Sequence, residues 1–333
     1  MQLSRFPRRR YTAGPTPLEP LPRLSAHLGG PRLWIKRDDL LGLAAGGNKT
    51  RKLEFLVADA LEQGADTLVT TGAVQSNHCR LTLAAAVREG LSCRLVLEER
   101  VPASYDENAT GNNFLFRLLG AEAITVVPAG TDLGAAMQAV AAEVAAVGRK
   151  AYVIPGGGSN ARGALGYVAC AQELMQQAFD AGLAFSHLVT ASGSGGTHAG
   201  IVAGLTGTSA GVSVTGISVR APKAPQEEKI LGLARAAAEL AGSQRAPTAA
   251  DVVVLDDYVG GGYSIPTDEM VEAVQLFARQ DGVLLDPVYT GKAAAGLVDL
   301  VRRGAFERDE DVVFLHTGGS PALYAYQDVL LGR

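Results

Sequence analysis

Two lysines three residues apart open the search for chemistry. Lys49 and Lys52 lie in Gly46-Gly47-Asn48-Lys49-Thr50-Arg51-Lys52, where a glycine pair meets the helical pattern Leu53-Glu54-Phe55-Leu56. A nucleotide-binding P-loop needs lysine directly after glycine, and Asn48 intervenes. A lysine amine made neutral by partial burial can instead form an imine with an aldehyde. Taken alone, such a segment is more often just an exposed helix start. A second segment, Ser192-Gly193-Ser194-Gly195-Gly196-Thr197-His198-Ala199-Gly200, follows a strand pattern at 187–190 and opens a helix of small residues. Successive backbone N–H groups, two hydroxyls and a helix N-terminus make a phosphate cradle. His198 stands where the dinucleotide fingerprint needs glycine, so the cradle suits a monophosphate better than NAD; a plain strand–helix turn is the simpler alternative.

The third segment is Gln75-Ser76-Asn77-His78. Ser76 lacks the G-x-S-x-G setting of a hydrolase nucleophile. His78 and Cys79 have no partners at metal-ligand spacing. A Ser-Asn pair at a strand end suits a carboxylate and a ring oxygen, although an ordinary polar loop explains it too. Tyr263, in a glycine-rich loop, and Tyr289, in Asp286-Pro-Val-Tyr289-Thr290-Gly, are phenols that can act as general acid or base.

Short β-branched runs must position these residues. They occur at 67–71, 93–97, 123–127, 152–154, 187–190, 212–219 and 312–316, and helical patterns separate them, among them 81–86 and the alanine-rich stretch from Leu133. This alternation predicts an α/β fold with parallel sheets covered by helices. Many of the 40 glycines cluster at predicted strand ends, at 46–47, 156–158, 193–196, 260–262 and 318–319. Ligands of open α/β sheets sit beyond those ends, so several loops are expected to wrap one anionic cofactor.

The chain of 333 residues has 47% hydrophobic residues and a net charge of −4, ample for a large core and without the electrostatic footprint of a nucleic-acid binder. Arg8-Arg9-Arg10 reads as a solvated surface turn. Three cysteines without C-x-x-C spacing point to a reducing compartment. No segment reads as a membrane span or a secretory signal, so a cytoplasmic protein is expected.

Together these segments resemble the family containing 1-aminocyclopropane-1-carboxylate deaminase, D-cysteine desulfhydrase and L-cysteate sulfo-lyase. The likeness runs from Arg5-Phe6-Pro7 through Pro15-Thr16-Pro17-Leu18-Glu19, Lys36-Arg37-Asp38-Asp39, the Lys49 and Gln75-Ser76-Asn77-His78 segments, to His316-Thr317-Gly318-Gly319. It implies the tryptophan-synthase-β-like fold of pyridoxal 5'-phosphate enzymes, with two open, twisted, mainly parallel sheet domains and the cofactor between them. Residues 1–50 and 160–333 would form the larger domain and 51–159 the smaller, in a homodimer acting on a small amino acid. Lys49 would carry the cofactor as a Schiff base and take the α-proton. Ser194, Gly195, Gly196 and Thr197, with Lys52, would hold the phosphate and Asn77 the ring oxygen. Ser76, Asn77 and His78 would meet the substrate carboxylate, and Tyr263 and Tyr289 would line the pocket, with Ser76 and both tyrosines catalytic.

The resemblance also ranks reactions. Thr290 stands where the deaminases have a glutamate near the pyridine nitrogen, and His78 replaces their glutamine, which favours β-elimination over ring opening. Leu81 departs from the glutamine common to the desulfhydrases and sulfo-lyases. D-cysteine, giving pyruvate, hydrogen sulfide and ammonia, is the first expectation. L-cysteate, giving sulfite, is the alternative, with Arg220 and Lys223 as the cations a sulfonate would need. A binding protein that senses an amino acid without turning it over is the reading from another class.

Overall fold

The computed structural model describes residues 1–332. Its first elements are β1 (Leu18–Pro20), α1 (Pro22–Leu28), β2 (Arg32–Arg37), α2 (Lys49–Glu62), β3 (Thr67–Ala73), α3 (Asn77–Glu89) and β4 (Ser92–Glu99). There follow α4 (Asn112–Leu118), β5 (Ala123–Pro128), α5 (Leu133–Ala146), β6 (Ala151–Ile154), α6 (Ala161–Asp180), β7 (His187–Ser192) and α7 (Gly196–Gly207). The chain closes with β8 (Ser213–Ser218), α8 (Lys223–Leu240), β9 (Val253–Leu255), α9 (Asp268–Asp281), α10 (Thr290–Arg302), β10 (Asp311–His316) and α11 (Gln327–Leu331).

The strands form two sheets, ordered β1-β2-β10-β7-β8-β9 and β5-β4-β3-β6. Every pairing is parallel except β1 with β2. Because side chains alternate across a strand, a sheet with helices on both faces needs apolar residues at consecutive positions. In β10, Val313 and Leu315 enter one core with α6, α7 and α8, whereas Val312 and Phe314 enter the other with α1, α9 and α10. In the smaller sheet, Leu68 and Leu95 face α2 and α3, while Val69 and Val96 pack on Met137 and Val140 of α5. All seven sequence-predicted strands are present. The three unforeseen ones are β1 and β9, of three residues each, and β2, whose Arg32-Leu-Trp-Ile-Lys36-Arg37 reads as charged.

The smaller sheet lies wholly within residues 67–154, while α2 contributes to both cores: Leu53, Leu56, Val57 and Ala60 to the smaller, Phe55 to the larger. Buried ions fasten α2 to the larger sheet. Arg51 Nε and Nη2 donate to Asp38 at 2.8 Å each, and Nη1 donates to Glu173 at 2.8 Å. Lys36 Nζ donates to Glu173 at 2.5 Å, and Tyr167 Oη donates to Asp38 at 2.6 Å. Burial alone would raise the Asp38 carboxyl, but Arg51 outweighs it and holds the group below its ordinary range.

Candidate active site

In each sheet the strand order reverses once: between β7 and β10 in the larger, between β3 and β6 in the smaller. Loops leaving the carboxyl ends of strands at such points form ligand crevices. The four loops here carry Gly193–Thr197, Thr317–Gly319, Gln75–Asn77 and Gly156–Ser159; the first two meet Asn48, the last meets Lys52, and Asn77 approaches Gly319. Asn48, Lys49, Gly193, Ser194, Thr197, Tyr289 and Thr317 line one cavity.

Lys49 is the first residue of α2 and is 7% exposed. Its Nζ donates to Asn48 Oδ1 at 2.9 Å and lies 5.2 Å from the centre of the Tyr289 ring. Burial pushes its pKa down to about 8; Asp286 partly opposes this and Arg80 adds to it. Lys52, one helical turn on, faces the same way. It is 1% exposed, and its Nζ donates to neutral oxygens, Gly157 O at 3.0 Å and Ser159 Oγ at 3.4 Å. Burial, then Lys49 and Lys229, push its pKa well down.

The glycine loop approaches Lys52 from the other side. Ser159 Oγ donates to Ser194 Oγ at 2.8 Å and accepts from Gly196 N at 3.1 Å. A Cβ on Gly196 would stand 2.8 Å from Ser159 Oγ and 3.1 Å from Lys52 Nζ, filling the space between loop and lysine. Asn48 Nδ2 donates to Thr197 Oγ1 at 2.8 Å, tying the Lys49 turn to the start of α7. Behind the loop, Gln226 Nε2 donates to Gly193 O and to Ser192 Oγ, both at 2.9 Å, and His198 Nδ1 meets Ser192 Oγ at 3.1 Å. Burial lowers His198 to about 4, a neutral imidazole packed beneath the loop.

Ser76 caps α3, its Oγ accepting from Cys79 N at 3.1 Å. Asn77 is the first residue of the helix. His78 is buried, with Nε2 2.8 Å from Thr70 Oγ1; burial and then Lys49 and Lys52 keep it neutral. Leu81 is fully buried against the Gly46-Gly47 turn.

Opposite Lys49, Tyr263 and Tyr289 meet edge to face, their hydroxyl oxygens 2.5 Å apart. Burial raises both phenols. Lys292, inside α10, holds the Tyr263 loop by donating to Val259 O at 2.6 Å and Gly262 O at 2.8 Å. The Asp286 carboxylate accepts from the N–H groups of Val288, Tyr289 and Thr290 at 3.1, 3.0 and 2.7 Å, which fixes Tyr289. The Thr290 hydroxyl accepts from Asp286 N at 2.7 Å and donates to Asp286 Oδ1 at 2.8 Å, so it is already engaged within the protein.

Two buried lysines with one partial counter-charge, a helix N-terminus and a glycine cradle make a site for a phosphate-bearing aldehyde. The profile of the pyridoxal-phosphate dependent enzymes matches residues 10–318. The chain belongs to that family. It is 48% identical over 324 residues to the D-cysteine desulfhydrases of Salmonella typhimurium and Salmonella typhi, covering 97% of this chain and of each of theirs. A crystal structure described as a homologue of ACC deaminase superposes with a TM-score of 0.88 at 38% identity, over 99% of this chain and 97% of that one. A pyridoxal 5'-phosphate-dependent aspartate racemase shares the fold, with a TM-score of 0.65 at 17% identity over 91% and 90% of the two chains. The residues present fit the family's cofactor: Lys49 for its aldehyde, and the Gly195–Thr197 N–H groups, Ser194 and Lys52 for its phosphate.

Of the residues singled out in the sequence, Lys49, Ser194, Gly195, Thr197 and Tyr289 line this cavity, Lys52 and Gly196 meet beside it at Ser159, Tyr263 is bonded to Tyr289, and Thr290 is buried against Asp286. Several others were missed. Asn48, Arg80, Asn112, Ser159, Gln226 and Asp286 all support it; Asn48 and Asp286 stand inside segments already singled out and Ser159 follows the glycines at 156–158, whereas nothing marked Arg80 or Asn112. Arg100 is another: its guanidinium lies 4.5 Å from the Tyr263 ring centre and Nε donates to Glu98 at 2.6 Å. The basic pair expected at the end of β8 is less engaged. Arg220 and Lys223 are both exposed, Lys223 lying 3.9 Å from Glu227.

Proposed function

We propose that the protein is a pyridoxal-phosphate-dependent lyase that converts D-cysteine and water to pyruvate, hydrogen sulfide and ammonia. The observation that carries the reading is the buried Lys49 amine, with a pKa near 8, facing a hydrogen-bonded pair of phenols. When bound, pyridoxal phosphate supplies an electron sink for the charge left at Cα. The phosphate would be held between Lys52, Ser194 and the N–H groups of Gly195, Gly196 and Thr197. Asn77 would donate to the ring oxygen, and Thr290, its hydroxyl held by Asp286, would offer the ring nitrogen no charge. The substrate carboxylate binds at the N-terminus of α3, with Ser76, Asn77 and His78. Lys49 takes the α-proton, since an amine with a pKa near the working pH can both accept and return it. The Cβ–S bond then breaks, sulfur leaves with the electron pair, and the Tyr263–Tyr289 pair delivers its proton. The released enamine hydrolyses to pyruvate and ammonia.

A neutral thiol suits this cleft better than a sulfonate, whose permanent charge needs a cation aimed at it. Arg100, the cation above Tyr263, already has Glu98 as its partner. L-cysteate stands as the second reading because the charge of Arg220 reaches Tyr263. The same site supports turnover over mere sensing, since its proton-transfer groups are assembled. The three thiols are buried and free, which suits a reducing cytoplasm. Leu40 and Leu284, 53% and 54% exposed beside one surface hollow, offer an apolar face for a second subunit.

A panel of amino acids scored separately for pyruvate, sulfide and sulfite tests the reading. D-cysteine should give sulfide and pyruvate in equal amounts, with Lys223→Ala unchanged. Sulfite from L-cysteate at a far higher kcat/KM, with a large loss in Arg220→Ala, would replace D-cysteine by L-cysteate. No pyruvate from any amino acid would leave a binding protein.

A further inference from the structure

Arg80, on the first turn of α3, is fully buried. Its Nη1 donates to Asn77 Oδ1 at 3.0 Å and to Asn112 Oδ1 at 2.6 Å, and its Nη2 donates to Gly46 O at 2.8 Å. Nε has no acceptor, and among the described residues no carboxylate pairs with this guanidinium. A buried arginine held only by neutral oxygens is costly, and burial pulls its pKa down to about 10. Such a group calls for a purpose beyond packing.

Its geometry decides which way two amides face. A guanidinium has donors and no acceptor, so any amide atom bonded to it must be oxygen. That removes the usual ambiguity between amide nitrogen and oxygen for Asn77 and Asn112 alike. Asn112 Nδ2 is thereby turned to donate to Asn77 Oδ1 at 2.8 Å and to Gln75 O at 2.9 Å. Asn77 Oδ1 therefore accepts twice within the protein, while Asn77 Nδ2 has no acceptor among the described residues. This nitrogen lies beside Gly319, whose backbone has φ 105° and where a Cβ would stand only 2.7 Å from it. The charge of Arg80 is also felt at Lys49.

We propose that Arg80 is a positioning residue that acts through Asn77. It holds the amide as a donor to the cofactor's ring oxygen and, by its unpaired charge, keeps that oxygen anionic. The inference rests on the role of Asn77 given above. The test is the absorption of the holoenzyme as a function of pH in wild type, Asn77→Ala, Arg80→Met, Arg80→Lys and the double variant of Asn77→Ala with Arg80→Met. Losing the donor or the charge favours the proton on the cofactor. Asn77→Ala and Arg80→Met should each move part of the visible band to the near-ultraviolet. Each should also raise the midpoint of the band's titration by about one unit, tenfold in the proton equilibrium. The double variant should shift further than the larger single one but by less than the sum of the two, because the donor is lost only once while the charge acts on the oxygen directly. Arg80→Lys keeps the charge but not the planar fork. It should redistribute the bands with a smaller midpoint shift, and it decides the matter if Arg80→Met does not fold. Arg80 variants with a normal band and midpoint, alongside a shifted Asn77→Ala, would overturn the proposal, even if they bind cofactor less tightly. So would additive shifts. A silent Asn77→Ala would remove the role of Asn77 itself, and that of Arg80 with it.

Discussion

The two sides of helix α2 treat charge in opposite ways. Behind it, Arg51 and Lys36 are matched by Asp38 and Glu173, with Tyr167 and Thr16 completing the hydrogen bonds. In front, Lys49, Lys52 and Arg80 are buried with neutral partners, and the carboxylate of Asp286 is felt at Lys49 and Arg80 but not at Lys52. Arg51 lies between the two lysines in the chain, yet the helical period turns it to the far side. Charges paired within the protein fix where α2 sits. Charges left unpaired beside a cradle of N–H groups are what the proposed site would need to balance an anion brought by the ligand. A buried cation is thus best read by its partners: a satisfied one belongs to the scaffold, an unsatisfied one to the site.

Breaking the balanced side should cost the most. Arg51→Ala strands the Asp38 charge in the interior and should lower unfolding stability by about 3–5 kcal/mol, the range for half of a buried pair. Denaturant unfolding of the variant measures it, and a loss below about 1 kcal/mol would show that the cluster does not hold the helix. On the unbalanced side, the same kind of change should leave the apoprotein far less affected. Lys52→Ala removes a cation without stranding an anion. Its effect should fall on the cofactor, with affinity about 10–100-fold lower, as expected for losing one charged hydrogen bond to phosphate. Fluorescence titration of the apoprotein with pyridoxal phosphate checks this. Equal affinity in both proteins would place the phosphate away from Lys52.

The same contrast explains what the sequence could and could not disclose. The strands expected at 67–71 and 187–190, with the Gln75–His78 segment after the first and the glycine loop after the second, are local patterns, and each segment of the site can be picked out by its own composition. Arg80 and Asn112 are 32 residues apart and become partners only because α4 returns against the start of α3. Nothing near either residue announces this. Arg51 and Lys52 are neighbours with opposite fates, which helical phase alone cannot assign without knowing what covers each face. The strand β2 was hidden because Lys36 and Arg37, polar in composition, are directed onto Glu173, Asp39 and Glu19. Arg100 joins the site from the end of β4, across the cleft from the tyrosine loop, and its sequence context is that of an ordinary surface turn.

The appearance of the visible band after mixing apoprotein with pyridoxal phosphate, followed from pH 6 to 10, tests the central claim most directly. Only the neutral amine attacks the aldehyde, and burial sets Lys49 near 8 rather than at the ordinary lysine value of about 10.4. The rate should therefore rise about tenfold per unit below pH 8 and level off above it. The band should persist in Lys52→Ala and vanish in Lys49→Ala, which should also lose pyruvate formation. A rate still climbing at pH 10, or a band kept by Lys49→Ala and lost by Lys52→Ala, would contradict the account.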